Sequence, residues 1–126
     1  MSIQKMISEH PDVEGHLNDP LAEVVYHANV AGAILASCAD ACLAEDMDMT
    51  QCIRTCLDGS DAAHALARIG ARRSGSNEAT IKAVLSSTKT AIQACHAECK
   101  KHDNPHCKRC ATMCEELIAD IEKAEL

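Results

Sequence analysis

The chain has 126 residues, 47% hydrophobic and 25% charged, which is enough for one domain with its own core. Its formal net charge of −7 argues against nucleic acid or an anionic membrane surface as a partner, because neither is attracted by that average field. The first residues contain charges and Pro11 rather than a long apolar run, and no window suggests a membrane span. We therefore expect a cytoplasmic protein.

The first predicted long helix follows an N-terminal segment at residues 1–18, which includes a short helix around residues 3–9. Apolar residues recur in steps of three and four from Leu17 to Cys42, which is the pattern of an amphipathic helix packed in a bundle. Asn18 or Asp19 can cap this helix, and Pro20 suits its first helical position.

The second predicted helix follows a polar turn at residues 46–48. Asp48, with a glutamine three residues later, resembles the start of a capping box. The helix is predicted to extend to about Arg73, although Gly59 and Gly70 each weaken it by roughly 1 kcal/mol relative to alanine.

The third and fourth predicted helices repeat this pattern. One apolar seam starts at Ile81 and continues to about Lys101. Asn104 can cap the next helix, whose seam extends from Cys107 to Ala124.

Short connections between consecutive helices favour antiparallel neighbours, so the sequence predicts an all-α, up-down-up-down four-helix bundle over residues 19–126. The turns at residues 46–48 and 102–104 lie at the same end of such a bundle. Every cysteine falls within about ten residues, or roughly 15 Å of helix, of one of these turns. The other half is expected to be an aliphatic core of Leu21, Val24, Leu66, Ile81, Leu85, Leu117 and Ile121.

Nine cysteines are the chemically distinctive feature of the chain, which has no Phe or Trp. The predicted metal ligands are Cys38, Cys42, Cys52, Cys56, Cys95, Cys99, Cys107, Cys110 and Cys114. A spacing of four residues places two thiols on one helix face, and the reducing cytoplasm favours metal binding over disulfides. Several Cu(I) ions are the first choice for this soft donor set, with Zn(II) or an iron–sulfur cluster as the alternatives.

Three other interpretations of the cysteines are weaker. Inert packing explains one buried cysteine well, but not nine on inward seams. A structural Zn(II) site uses four ligands and leaves five of the nine thiols without a role. Thiol redox chemistry at Cys107 and Cys110 is remote because no strand pattern supplies the usual fold context. No catalytic triad, phosphate loop or convergent carboxylate pair indicates an enzyme.

Four further residues near the two turns are candidate auxiliary ligands where an ion would reach the cluster: His102, His106, Met47 and Met49. Surface histidines and end-packing methionines are the ordinary alternatives. His27 and His96 follow polar faces and are expected to meet solvent. The acidic residues beside the turns, including Glu45, are interpreted as solvated surface.

Two stretches, CADACLAEDMDMTQCIRTCLDGSDAAHALA and CHAECKKHDNPHCKRCATMCEE, resemble the cytosolic branch of the four-helix-bundle copper storage proteins over residues 19–124. The resemblance implies reversible Cu(I) storage or buffering by the nine cysteines without catalysis, often in a homotetramer. Exchange with a copper chaperone or a small thiol would accompany such storage.

The chain departs from that family where further cysteines would continue the seams. Those positions hold Gly59, Ala63, Thr88, Ile92, Leu117 and Ile121. We therefore expect a store of reduced capacity, reached near the turns around Asp46 and Asp103.

Overall fold

The computed structural model describes residues 1–124, which contain five helices and no strand. The helices are α1 (Ile3–Ser8), α2 (Asp19–Leu43), α3 (Thr50–Gly70), α4 (Glu78–Cys99) and α5 (Pro105–Ala124). The all-α class and the short N-terminal helix are as the sequence predicts. The last two residues of the predicted bundle lie outside the described part of the chain.

Helices α2 to α5 form the four-helix bundle. Each packs against its neighbour in the chain, and α5 packs back on α2 to close the ring. The helices α2 and α5 are antiparallel, because His27 contacts Asp120 while Cys38, further along α2, contacts His106 near the start of α5. Contacts between α2 and α3 and between α3 and α4 also pair the end of one helix with the start of the other, so the up-down-up-down topology is confirmed.

The starts of α2 and α3 differ in how they are capped. The Oδ1 atom of Asn18 accepts a hydrogen bond from the backbone N–H of Leu21 at 3.2 Å, as expected of an N-cap. The capping box predicted at Asp48 is wrong: Met49 is the N-cap of α3, with no side-chain cap bond. The Asp48 carboxylate instead accepts bonds from the backbone N–H and the hydroxyl of Thr50, which are nearer donors in the same turn.

Two glycines of α3 permit close contact between helices. A Cβ atom on Gly59 would lie 3.3 Å from both the Leu35 and the Ile92 side chains. A Cβ atom on Gly70 would lie 2.7 Å from Cγ2 of Val25. The cost in helix propensity predicted for these glycines is thus accompanied by tighter packing between helices.

The predicted aliphatic half of the core is present. Its seven side chains are all buried, with exposed fractions of 3% or less. Thr88 is also fully buried, and its hydroxyl donates to the carbonyl oxygen of Ala62 at 3.1 Å, which satisfies the polar group. Hydrophobic packing therefore closes the half of the bundle opposite the cysteines.

The N-terminal segment packs on the outside of α2. Ile7 and Val13 form a small buried cluster with Val25. A positive φ of 79° at Gly15 allows the turn that leads from this segment toward α2.

The expectation that no window of the chain suggests a membrane span is wrong for α2. An 18-residue window of this helix has a mean hydropathy of 1.3, so by length and composition it is apolar enough to cross a membrane. Alanine and cysteine raise this value, and 50% of the window is buried inside the bundle. A core helix passes the same test, so the window is only a weak indication of a membrane span.

Candidate metal centre

All nine cysteines carry free thiols and are buried, with exposed fractions of 3% or less. They come from all four bundle helices and occupy the half that contains the α2–α3 and α4–α5 turns. The convergence predicted from the turns is therefore present in the structure.

A chain of close sulfur contacts links α2, α3 and α4. The Sγ atoms of Cys42 and Cys52 are 3.9 Å apart, and Cys52 lies 3.8 Å from Cys99. Cys99 lies 3.8 Å from Cys95, which in turn lies 3.6 Å from Cys56. These separations are far longer than the roughly 2.05 Å of a disulfide bond, so the sulfurs are available as separate ligands.

A four-sulfur group lies where the four helices meet. Cys38 of α2, Cys56 of α3, Cys99 of α4 and Cys110 of α5 have Sγ atoms that all lie within 4.8 Å of one another. One thiol from each helix thus surrounds a common point, which is an arrangement able to hold a soft metal ion.

Two further groups share members with this one. Cys95, Cys110 and Cys114 form a three-sulfur group within the same 4.8 Å limit. Cys38 is also part of a second set, formed with Cys42, Cys107 and His106. Because Cys38 and Cys110 each belong to two groups, the thiols form one continuous network and not isolated pairs.

His106 lies between this network and solvent. Its Nδ1 atom is 3.4 Å from Sγ of Cys38 and 3.6 Å from Sγ of Cys107. Its Nε2 atom is 3.0 Å from Oε1 of Glu45, and both side chains are partly exposed. The hydrogen bond with Cys38 is the largest cause that raises the pKa of His106, with a further contribution from Glu45. This end of the network therefore has both a solvent-facing imidazole and a carboxylate that orients it.

The thiols differ in how readily they lose their protons. Hydrogen bonding from Cys110 lowers the pKa of Cys38 to about 6 and that of Cys99 to about 4. Burial raises the pKa of Cys42 to about 11 and that of Cys107 to about 12. Neutral thiols therefore donate to a smaller number of thiolates, which limits the charge buried in the metal-free protein.

The other predicted auxiliary ligands lie in different surroundings. His102 is partly buried, but the groups of side chains among residues 1–124 that could hold a metal ion include His106 and not His102. Met47 is 52% exposed in the α2–α3 turn, whereas Met49 is 3% exposed and packs in the core. His106 is thus the predicted histidine that the fold places against the thiols.

Glu45 is the feature of the site that sequence reasoning missed. The sequence interpretation treated it as solvated surface, yet it holds the outer nitrogen of His106. Its position just after α2, at the same end of the bundle as the start of α5, could have indicated a contact with His106.

A four-helix bundle with nine buried thiols in one half and an aliphatic core in the other defines a cysteine-lined, metal-binding helical protein. A model of the copper storage protein family matches residues 17–125. The chain therefore belongs to the copper storage protein family, which confirms the resemblance and the predicted function of copper storage.

Solved structures support this assignment. The copper storage protein Ccsp of Streptomyces lividans, loaded with 10 copper equivalents, has 29% sequence identity and a TM-score of 0.91, with 99% of this chain and 100% of that chain covered. The same cytosolic protein with five coppers gives 31% identity and a TM-score of 0.80, with 83% and 91% covered. A variant with two histidines replaced by alanine gives 30% identity and a TM-score of 0.82, with 87% and 98% covered. A comparison with curated proteins found no match.

Proposed function

We propose that this chain stores Cu(I) in the cytoplasm by binding several ions to the thiolates of its nine cysteines. The observation that carries the proposal is the four-sulfur group of Cys38, Cys56, Cys99 and Cys110, which shares members with both neighbouring groups. A shared sulfur can bridge two ions, so the network is suited to a multinuclear cluster.

Charge balance favours Cu(I) in this buried setting. Thiolates left unpaired in a nonpolar core are very costly, whereas a cluster with nearly as many Cu(I) ions as thiolates is close to neutral. Cu(I) is also the soft first-row ion that thiolate donors prefer. Packing in the aliphatic half of the bundle then keeps water away from the cluster.

Structural Zn(II) binding is the second candidate, because the same four-sulfur group supplies four thiolates from four helices, the usual ligand count of a structural zinc site. One Zn(II) ion at that point would leave five of the nine thiols without a role. An iron–sulfur cluster held by four cysteines would likewise leave five thiols without a role. The sulfur count therefore favours Cu(I).

Ions reach the network at the end where His106 and Glu45 meet Cys38. His106 can pass an ion from solvent to Cys38 or Cys107, because Nδ1 lies near both sulfurs. His102 and Met47 are auxiliary candidates in the two turns, and Met49 would act from within the core.

The expected capacity is below that of a bundle lined with cysteines along its full length. The six positions that lack a further cysteine are all buried and hold residues without sulfur, so they add no ligand to the core. The Streptomyces protein holds five or 10 coppers in its structures, and we expect this chain to hold several ions as well.

The proposed location, assembly and exchange partners rest on similarity to the copper storage protein family. A cytosolic relative supports a cytoplasmic location. Family membership supports storage without catalysis, and we include a homotetramer and exchange with a copper chaperone or small thiol in the proposal.

Native mass spectrometry of protein purified from copper-supplied cells tests the proposal. We expect a main species with several copper ions per chain. A main species with one zinc ion per chain would instead support the structural Zn(II) candidate. Dithiol-dependent turnover that is abolished by Cys107→Ala would support the thiol redox interpretation.

A further inference from the structure

A second cluster of ligand-type side chains lies on the surface of the aliphatic half, beyond the last cysteine of α5 and before the first cysteine of α2. Nδ1 of His27 on α2 is 2.7 Å from Oδ2 of Asp120 on α5. The His27 side chain is 41% exposed, so it meets solvent as the sequence predicts, while Asp120 is only 14% exposed. Glu23 lies one helical turn before His27, on the same face of α2.

We propose that Glu23, His27 and Asp120 bind a borderline divalent cation such as Zn(II), at a site separate from the copper store. Each residue offers one ligand atom, and the three atoms lie within 4.8 Å of one another. Ligand atoms about 2.1 Å from a tetrahedral ion are roughly 3.4 Å apart. The His27 and Asp120 atoms, now hydrogen-bonded at 2.7 Å, would move apart to this separation when an ion replaces the shared proton. Glu23 is exposed, so its carboxylate can change rotamer to complete the ligand set.

The donor set determines which ion fits. One imidazole nitrogen and two carboxylate oxygens suit Zn(II) and similar divalent ions, whereas Cu(I) prefers sulfur. The bundle would therefore keep two classes of metal ion in opposite halves, with the soft ion among the thiols and the borderline ion on the surface.

A groove that borders two of the three residues provides an open coordination position. Its volume is about 350 Å³, and its lining includes His27, Asp120 and the apolar side chains of Val30 and Met113. Three protein ligands with one position open to water or a small ligand are typical of zinc sites that exchange ligands.

The test uses Co(II) as a spectroscopic probe for Zn(II), added to the Cu(I)-saturated full chain so that the thiols are occupied. We expect one Co(II) per chain, with weak visible d–d bands and without the intense sulfur-to-cobalt charge transfer of thiolate binding. Zn(II) should displace this Co(II). Glu23→Gln changes an exposed side chain and should weaken binding at least about tenfold, as should His27→Ala.

His96→Ala is the matched control. His96 also pairs with a carboxylate on the bundle surface, at 2.9 Å from Glu115, and its side chain is 21% exposed, which is less solvent contact than the sequence predicts. That pair has no third ligand among the groups found in residues 1–124, so this variant should bind Co(II) unchanged. Circular dichroism confirms that each variant is folded. Absence of Co(II) binding, or equal affinity in Glu23→Gln, His27→Ala and the unmodified chain, would overturn the site.

Discussion

The Nδ1 atom of His106 lies 3.4 Å from the Sγ atom of Cys38, and Glu45 holds the opposite nitrogen of the same ring. This contact joins the solvent-facing end of the bundle to a thiol that belongs to two of the sulfur groups. We therefore expect His106 to influence how quickly ions enter the network, and the nine sulfurs to determine how many ions remain there.

We expect His106→Ala to slow Cu(I) uptake roughly tenfold, the effect of about 1.4 kcal/mol on the barrier, while the number of bound ions changes little. The reason is that the ring is an accessible donor next to a buried thiol. Stopped-flow measurement of the sulfur-to-copper charge-transfer band gives the rate, and titration to saturation gives the capacity.

Glu45→Gln should have a smaller effect than His106→Ala, because the amide can still accept a hydrogen bond but carries no charge. His96→Ala serves as the control for loss of a surface histidine. Equal uptake rates in His106→Ala and the unmodified chain would show that ions enter elsewhere.

Cu(I) uptake should also depend on pH. The pKa of Cys38 is lowered to about 6, so this sulfur is a thiolate above that pH and a neutral thiol below it. Since the thiolate is the ligand, the rate for the first equivalent should fall about tenfold per pH unit below the pKa. The hydrogen bond from His106 helps to lower this pKa, so His106→Ala should move the midpoint to higher pH. A rate that stays constant through this range would contradict the Cys38 thiolate as the group that receives the ion from His106.

A cysteine that belongs to two sulfur groups should contribute more to the number of bound copper ions than a cysteine that belongs to none. Cys110 is part of both the four-sulfur and the three-sulfur groups, whereas Cys52 is in none of the groups found among residues 1–124 and contacts Cys42 at 3.9 Å and Cys99 at 3.8 Å. We expect Cys110→Ser to lower the copper stoichiometry more than Cys52→Ser, because loss of a shared sulfur disturbs two groups. Copper analysis after gel filtration measures this difference, and equal losses would argue against shared ligands.

The helices and the position of the cysteines could be predicted because both depend on periodicity and on chain turns. Steps of three and four from Leu21 to Cys42 define the inward face of α2, and the short turns then place all the thiols at one end. Burial of Leu66 and Ile121 follows from the same pattern. Predicting these features requires only the helical repeat and the lengths of the connections between helices.

The contacts between individual polar side chains could not be predicted in this way. Whether Glu45 faces solvent or His106 depends on side-chain rotamers and on the distance between two helix ends. The pairing of His27 with Asp120, 93 residues apart in the chain, depends on the register of α2 against α5. The Asp48 prediction failed because Thr50 offers two donors in the same turn.

The aliphatic half should carry the stability of the metal-free protein. Leu117 is 2% exposed, so Leu117→Asp places a carboxylate in an apolar core and should cost about 4 kcal/mol or more. Ala119→Asp puts the same side chain on the exposed face of α5 and should change little. Urea unfolding of the two metal-free variants compares them directly. Equal stabilities would show that this half of the bundle is not the main source of folding free energy.

Anaerobic titration of the reduced metal-free chain with Cu(I), in competition with a chromophoric Cu(I) chelator, tests the central claim most directly. We expect several ions to bind per chain, with a sulfur-to-copper charge-transfer band and no visible d–d band. Binding of one ion or fewer per chain, or displacement of Cu(I) by Zn(II) at equal free metal, would contradict a copper store built from the nine thiols.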